Sequence, residues 1–209
     1  NVIKATGKTP IAHMHELGLF YNGALAAHCV HITEEDMDIM RDNHVAVAHN
    51  PQSNLKLASG IAPVPEMVAA GITVGLGTDG SASNNNADML EEVRLAAMLH
   101  KGRLYDSKAV PAHMAWDMGT LEGAKALGYD DLGLIKEGYR ADITLYNTDQ
   151  IHWMPRYHDI SALVYSANSA DVETSIVAGK ILMHNKELLT IDEERLGFEI
   201  AKAQEYFKN

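Results

Sequence analysis

The sequence is short of cysteine, of positive charge and of long apolar runs, and each shortage removes a class of protein. Cys29 is the only cysteine, so no disulfide can close within the chain. That fits a reducing compartment, and the cytoplasm is the expected location. Lys and Arg number 17 against 28 Asp and Glu, a net charge of -11. The basic residues are scattered, whereas a nucleic-acid partner needs them gathered in a stripe. No stretch of about 18 apolar residues exists to span a bilayer, and residues 1–10 lack the charged-then-apolar pattern of an export signal. Neither nucleic acid nor a membrane is an expected partner. Internal repeats and low-complexity tracts are missing as well. So is an initiator Met: the chain opens on Asn1-Val2-Ile3-Lys4-Ala5-Thr6, which reads as helix interior, and a truncated chain is expected.

What is present is a globular pattern. The 209 residues are 46% hydrophobic, enough for one ordinary core with a small appendage. Over the first 80 residues, short apolar runs alternate with amphipathic stretches, as in β/α units of a parallel sheet. Residues 24–28 form an apolar run ending in His28, and Thr33-Glu34-Glu35-Asp36 supplies a cap and acidic first turn for a helix to Arg41. Residues 45–49 form a second run, followed by a loop rich in Asn, Pro, Ser and Gly and a helix around 65–70. Residues 72–77 form a third, delivering Thr78 and Asp79 ahead of a Gly, Ser and Asn cluster and a helix over about 87–99. Parallel sheets place their chemistry at strand carboxyl ends, so these polar ends mark one active face. Further on, helices are predicted near 109–118 and 121–127 and extended pieces over 141–146 and 172–183. A hairpin is expected within 176–182, and a closing helix over 192–207.

Three segments carry a resemblance: Ala27-His28-Cys29-Val30-His31; His49-Asn50-Pro51-Gln52-Ser53-Asn54-Leu55-Lys56-Leu57; and Leu76-Gly77-Thr78-Asp79-Gly80 with Ser83-Asn84-Asn85. In residues, order and spacing they resemble the amidohydrolase superfamily, nearest to its deaminases of methylthioadenosine and S-adenosylhomocysteine. The resemblance covers essentially the whole chain. It implies an α/β fold, the C-terminal part of a metal-dependent (β/α)8 barrel with these segments on strands six to eight. Part of a small β-sandwich is implied too, entered where Gly133-Leu134-Ile135-Lys136-Glu137-Gly138-Tyr139-Arg140-Ala141-Asp142-Ile143 leaves the barrel. The expected organisation is a partial barrel over 1–132, a partial β-sandwich with segments returning to the barrel over 133–190, and a C-terminal helix over 191–209.

Asp79 alone reads equally as a loop cap before Gly80 or as a carboxylate that binds a metal and takes a proton from the water on it. The resemblance makes it the metal ligand and catalytic base. His28 alone reads as a buried structural histidine; the resemblance makes it the group that hydrogen-bonds the attacking hydroxide or the reacting centre, without binding metal. His28, Cys29 and His31 are not expected to share an ion, because alternation along a strand sends neighbours to opposite faces. Asn50, Ser53 and Asn54 are expected to fix their loop through hydrogen bonds to backbone, with substrate contact as the alternative. His49 is placed similarly. Ser83 and Asn84 are expected to orient the Asp79 carboxylate, or else to close the loop. His13 and His15 mimic the paired ligands of this superfamily, but they fall in a helical pattern and point about 200° apart. His100, His113, His152, His158 and His184 show no ligand spacing and are expected on the surface or in loops.

The resemblance thus implies one divalent metal, zinc by expectation. The reaction it implies is hydrolytic deamination of an adenine nucleoside, 5'-methylthioadenosine or S-adenosylhomocysteine, to the inosine analogue and ammonia. Guanine deaminase and triazine hydrolase or chlorohydrolase chemistry share much of the pattern and stay open. A reading from another class is an inactive fragment serving as a structural or interaction module. The family's other metal ligands and its acid Glu are not in this chain, so the expected partner is a missing N-terminal half, and the chain alone is expected to be inactive. Uncovered edges of the β-layer predict poor solubility. A homo-oligomer stays open.

Overall fold

A computed structural model describes residues 1–207 of the chain. The opening residues are helical: α1 (Val2–Thr6) ends at Gly7, whose φ of 73° lets its N–H reach the Ile3 carbonyl. In α2 (Pro10–Glu16), Thr9 caps Ala12 N–H and Pro10 sits at the first position, where no N–H is needed. Next comes β1 (Ala24–Ala27), then α3 (Glu34–Asp42). Its capping box is complete: Thr33 Oγ1 accepts from Asp36 N and Asp36 Oδ2 accepts from Thr33 N, both at 3.1 Å.

After β2 (Val45–His49) the expected loop is instead a helix, α4 (Pro51–Lys56). It is followed by α5 (Val64–Ala69), β3 (Val74–Leu76), a short α6 (Ser81–Asn84) that was also not foreseen, and α7 (Met89–Leu104). Asp88 caps α7 by accepting from Leu90 N and Glu91 N.

The three strands are parallel in the order β1-β2-β3, with Ala24 opposite Val45 and Val47 opposite Val74. Alternation turns Val45, Val47 and His49 to one face. There Val45, Val47 and Val74 meet Met37 and Met40 of α3, Met67 of α5, Val93 and Ala97 of α7, and Ala115 and Met118 of α8 (Ala112–Gly119). Each buried Val or Met side chain among them contributes roughly 1.5–3 kcal/mol. The next helix, α9 (Leu121–Ala126), packs backbone to backbone on β3. A Cβ at Gly75 would lie 2.9 Å from Gly123 Cα, so neither position leaves room for a side chain.

The second sheet is antiparallel, in the order β4-β5-β6-β7: β4 (Ile143–Tyr146), β5 (Val172–Val177), β6 (Lys180–His184) and β7 (Glu187–Leu188). The expected hairpin is the β5–β6 pair, turning through Ala178 and Gly179, both at positive φ. Between β4 and β5 the chain forms α10 (Asp159–Tyr165), a helix not foreseen. Arg94 of α7 ties the end of α10 by donating from Nε to Val164 O at 3.1 Å. The closing helix α11 (Glu193–Phe207) buries none of its residues. Among the described residues no helix is long and apolar enough to cross a membrane.

Candidate active site

The carboxyl ends of β1, β2 and β3 lie side by side, and the ladder runs one step past the strands. His28 N donates to Ala48 O at 2.9 Å and Gly77 N to His49 O at 3.0 Å. Both outer chains then turn sharply. His28 (φ 68°), Cys29 (φ 47°) and Asp79 (φ 65°) all occupy the left-handed region, which costs an L-residue on the order of 1 kcal/mol. These turns aim the His28 and Asp79 side chains across the end of β2, bringing His28 Nε2 to 3.9 Å from Asp79 Oδ2. Cys29 is buried and His28 half-exposed. They are separated by these left-handed turns, not by the strand alternation expected above, since β1 has already ended. Burial pushes the Cys29 thiol up to about 11, with the Asp36 charge adding to it.

Helix α4 fills the space above the end of β2, and two adjacent residues of it hold the two facing groups. Ser53 Oγ donates to Asp79 Oδ2 at 2.7 Å, and Asn54 Oδ1 lies 2.9 Å from His28 Nδ1. These partners are side chains, not the backbone groups expected for Ser53 and Asn54. Asp79 also accepts from Ser83 Oγ at 2.6 Å and from Gly80 N at 2.7 Å. The Ser53 hydroxyl, then the Ser83 hydroxyl and the Gly80 amide, hold the Asp79 carboxyl down to about 2. It is therefore fully ionised at neutral pH. The amide oxygen of Asn54 can only accept, so in this contact His28 Nδ1 is the donor, with Nε2 turned toward Asp79.

Asn84 is placed differently from its neighbour Ser83. It does not reach Asp79: its Nδ2 donates to Glu92 Oε1 at 2.6 Å and its Oδ1 accepts from Ala87 N at 2.8 Å. Glu92 Oε2 also accepts from Gln52 N at 3.2 Å, in the first turn of α4. Burial pushes the Glu92 carboxyl up to about 7, against the lowering by the Gln52 amide and Asn84. Lys56, at the other end of α4, donates to Ala82 O at 2.9 Å and to Asn85 Oδ1. Asn50 makes no side-chain cap bond to α4; its Nδ2 packs where a Cβ at Gly77 would stand, 2.8 Å away.

His49 and His100 form a buried pair. Their ring centroids are 5.4 Å apart and neither has a hydrogen-bond partner at either ring nitrogen. The expectation of a surface or loop position for His100 is overturned: it lies inside α7, fully buried against β2. Burial drives the His49 ring down to about 3, reinforced by His100 and His28, and the His100 ring down to about 4, reinforced by Arg103. Both are neutral at physiological pH. His152 does lie at the surface as expected, with its Nε2 2.8 Å from the buried Asp171 carboxylate.

Glu92, His100, Gln52 and Lys56 received no site role from the sequence. For Glu92 and His100 a signal existed: 92, 96 and 100 form one i, i+4 stripe beside the apolar 93 and 97, which puts both residues on the buried face of α7. Gln52 and Lys56 lie inside the quoted second motif, but their partners are 30 residues or so away in sequence and leave no local trace.

His13 and His15 sit on α2, where His13 Nδ1 lies 3.9 Å from Glu16 Oε2. Among the described residues no group of three or more His, Cys, Asp or Glu side chains could hold a metal ion. Zinc sites take at least three protein ligands. Asp79 offers one, so these residues by themselves do not complete a site.

The model of the amidohydrolase family matches residues 1–182. The chain is 52% identical over 202 residues to 5-methylthioadenosine/S-adenosylhomocysteine deaminase of Dictyoglomus thermophilum, covering 97% of this chain and 47% of the relative. It is 50% identical over 201 residues to the protein of that name from Desulforamulus reducens, covering 96% and 46%. Among solved structures, an adenosine deaminase from Xanthomonas campestris with bound zinc superposes with a TM-score of 0.92 at 35% identity, over 99% of this chain and 47% of that one. Atrazine chlorohydrolase from Arthrobacter aurescens, complexed with zinc, superposes with a TM-score of 0.90 at 30% identity, over 96% and 45%. The chain spans about half the length of the curated relatives it matches. Together with strand-end groups gathered on one face of a parallel sheet, these matches establish that the chain belongs to the amidohydrolase family.

Proposed function

We propose that this chain carries one side of the active site of a hydrolytic deaminase acting on an adenine nucleoside, 5'-methylthioadenosine or S-adenosylhomocysteine, with release of ammonia. The observation that carries the reading is the Asp79 carboxylate, held ionised by Ser53, Ser83 and Gly80 and facing His28 Nε2 at 3.9 Å. In this reading β1 to β3 are strands six to eight of a (β/α)8 barrel, and β4 to β7 belong to a small β-sandwich. Asp79 is one ligand of a divalent metal, zinc by analogy with the superposed structures. The remaining ligands come from a segment equivalent to the half of the relatives that this chain does not match. A bound divalent ion supplies a water whose pKa is brought toward neutrality.

The work assigned to this chain is proton handling and positioning. Asp79 takes a proton from the attacking water and passes it to the departing amine, a role suited to a carboxylate that is ionised at the start. His28, fixed through Nδ1 by Asn54, presents Nε2 to the oxygen that becomes bonded to the ring carbon. Ser53 and Ser83 keep the Asp79 carboxylate in one orientation, while the second amide end of Asn54 and the Asn50 side chain line the same end of the sheet. The substrate preference leans on the deaminase relatives, at 52% identity, over the triazine-acting neighbours, at 30%.

The test is ammonia release by the intact enzyme from 5'-methylthioadenosine, S-adenosylhomocysteine, guanine and a chlorotriazine. Turnover of the adenine nucleosides, abolished by Asp79→Asn and strongly reduced by His28→Ala, is the expected result. Turnover confined to guanine or the triazine would sink the substrate assignment. Full activity in Asp79→Asn would sink the site.

A further inference from the structure

Glu92 is fully buried, takes no part in the reaction described above, and is bonded to both segments that hold Asp79. We propose that Glu92 is a positioning residue: it fixes α4 and the α6 segment so that Ser53, Ser83 and Asn54 hold Asp79 and His28 in register. This rests on the reading of Asp79 and His28 as the reacting pair.

Helix α4 is six residues long and has no reason to persist alone. The Asn50 side chain leaves its first-turn N–H groups uncapped. Glu92 does what Asn50 does not, accepting from Gln52 N at 3.2 Å. The other carboxylate oxygen takes the Asn84 amide at 2.6 Å, and Gln52 Nε2 donates to Asn84 O at 3.3 Å. Gln52, Glu92 and Asn84 thus form a closed ring. Each end of that ring is one residue from a serine that bonds Asp79: Ser53 follows Gln52, and Ser83 precedes Asn84. Asn54, the partner of His28, comes one residue later.

The ring is anchored in α7, whose 16 residues are packed into the main core through Val93 and Ala97. The core's rigidity is in this way passed to two short segments that could not hold their own geometry. A buried carboxylate with amide partners and no cation is an unfavourable way to fill space. A leucine would pack there without that penalty, but it would leave the Gln52 N–H and the Asn84 amide unpaired. The chemistry of the position is that of a bracket, not of a core filler.

The test compares Glu92→Leu and Glu92→Gln with Met40→Ala, a core deletion on α3, in the intact enzyme. For Glu92→Leu, kcat falls about 10- to 100-fold with KM within about twofold. Its crystal structure shows the Ser53–Asp79 and Asn54–His28 contacts broken. Glu92→Gln keeps one acceptor and lies between; Met40→Ala leaves kcat within about twofold. The proposal is overturned if Glu92→Leu keeps both contacts and its kcat, or if Met40→Ala lowers kcat as much. Should Glu92→Leu not fold, Glu92→Gln decides by the same two readouts. Unchanged turnover in Asp79→Asn and His28→Ala would remove the reaction reading alone, because the broken contacts in Glu92→Leu would still stand.

Discussion

At the carboxyl ends of the parallel strands, polar residues are inside: His49, Asn50, Ser53, Asn54, Asn84 and Glu92 are all buried. At the other end of the chain, large apolar residues are outside: Phe198 is 67% exposed and Phe207 83%, with Leu189, Ile191, Leu196 and Ile200 also exposed. Both regions reverse the usual order, and for different reasons. In the first, Ser53, Asn54, Asn84 and Glu92 each hold another group through a hydrogen bond, whereas the His49 ring and the Asn50 amide oxygen are buried without such a partner. The second exposes apolar groups because α11 buries none of its residues. An inverted interior therefore signals a built site, and an inverted exterior signals a surface awaiting cover.

Asp79→Asn keeps the size of the side chain but removes the carboxylate proposed as the base, and kcat/KM of the intact enzyme is expected to fall about 10²- to 10⁴-fold with unchanged circular dichroism. Ser53→Ala and Ser83→Ala each remove one bond to Asp79 and should each lower kcat about 10-fold. A change confined to KM would show that these hydroxyls serve substrate binding instead.

Stability against pH sharpens the same contrast, because the buried titrating groups oppose one another. His49 and His100 have depressed values in the fold, so their contribution is whole above the ordinary 6.5 and is lost as pH falls toward about 4 and 3. Glu92 has a raised value, so its contribution is whole below the ordinary 4.5 and is lost as pH rises through about 7. Each slope is at most about 1.4 kcal/mol per pH unit. Urea melts of Glu92→Gln should therefore gain stability more steeply from pH 5 to 7 than the parent, and those of His100→Phe less steeply. Equal slopes in all three proteins would show that these groups titrate alike in the folded and unfolded chain.

The smallest effect belongs to the exposed region. Phe198→Ser should change stability by no more than about 0.5 kcal/mol while reducing self-association of the chain in sedimentation velocity. A large loss of stability would mean that α11 is packed in solution.

Much of the fold was legible because its signals are local. The runs at 24–28, 45–49 and 72–77 match β1, β2 and β3, and Thr33 does supply the predicted cap of α3, with Asp36 closing a capping box. Helix α4 was not legible. Pro51-Gln52-Ser53-Asn54-Leu55-Lys56 has no helical period and contains residues common in turns, and its N-terminus is completed by Glu92 from 40 positions along the chain. For the same reason Ser53 and Asn54 looked like loop fixers, since their partners lie 26 positions away in opposite directions. Asn84 and Ser83 looked interchangeable, and only the direction each side chain takes from α6 separates them.

By itself the sequence determined where the three parallel strands lie, their polar carboxyl ends, and the family pattern that singled out His28 and Asp79. Those features are written in apolar runs, caps and short motifs, all settled within a few residues. The tertiary structure alone decided that His28 and Asp79 face each other across β2, that α4 is a helix carrying their supports, and that Glu92 and His100 are interior. Each of these depends on groups brought together from distant parts of the chain, where hydrogen-bond partners and burial, not residue type, assign the role.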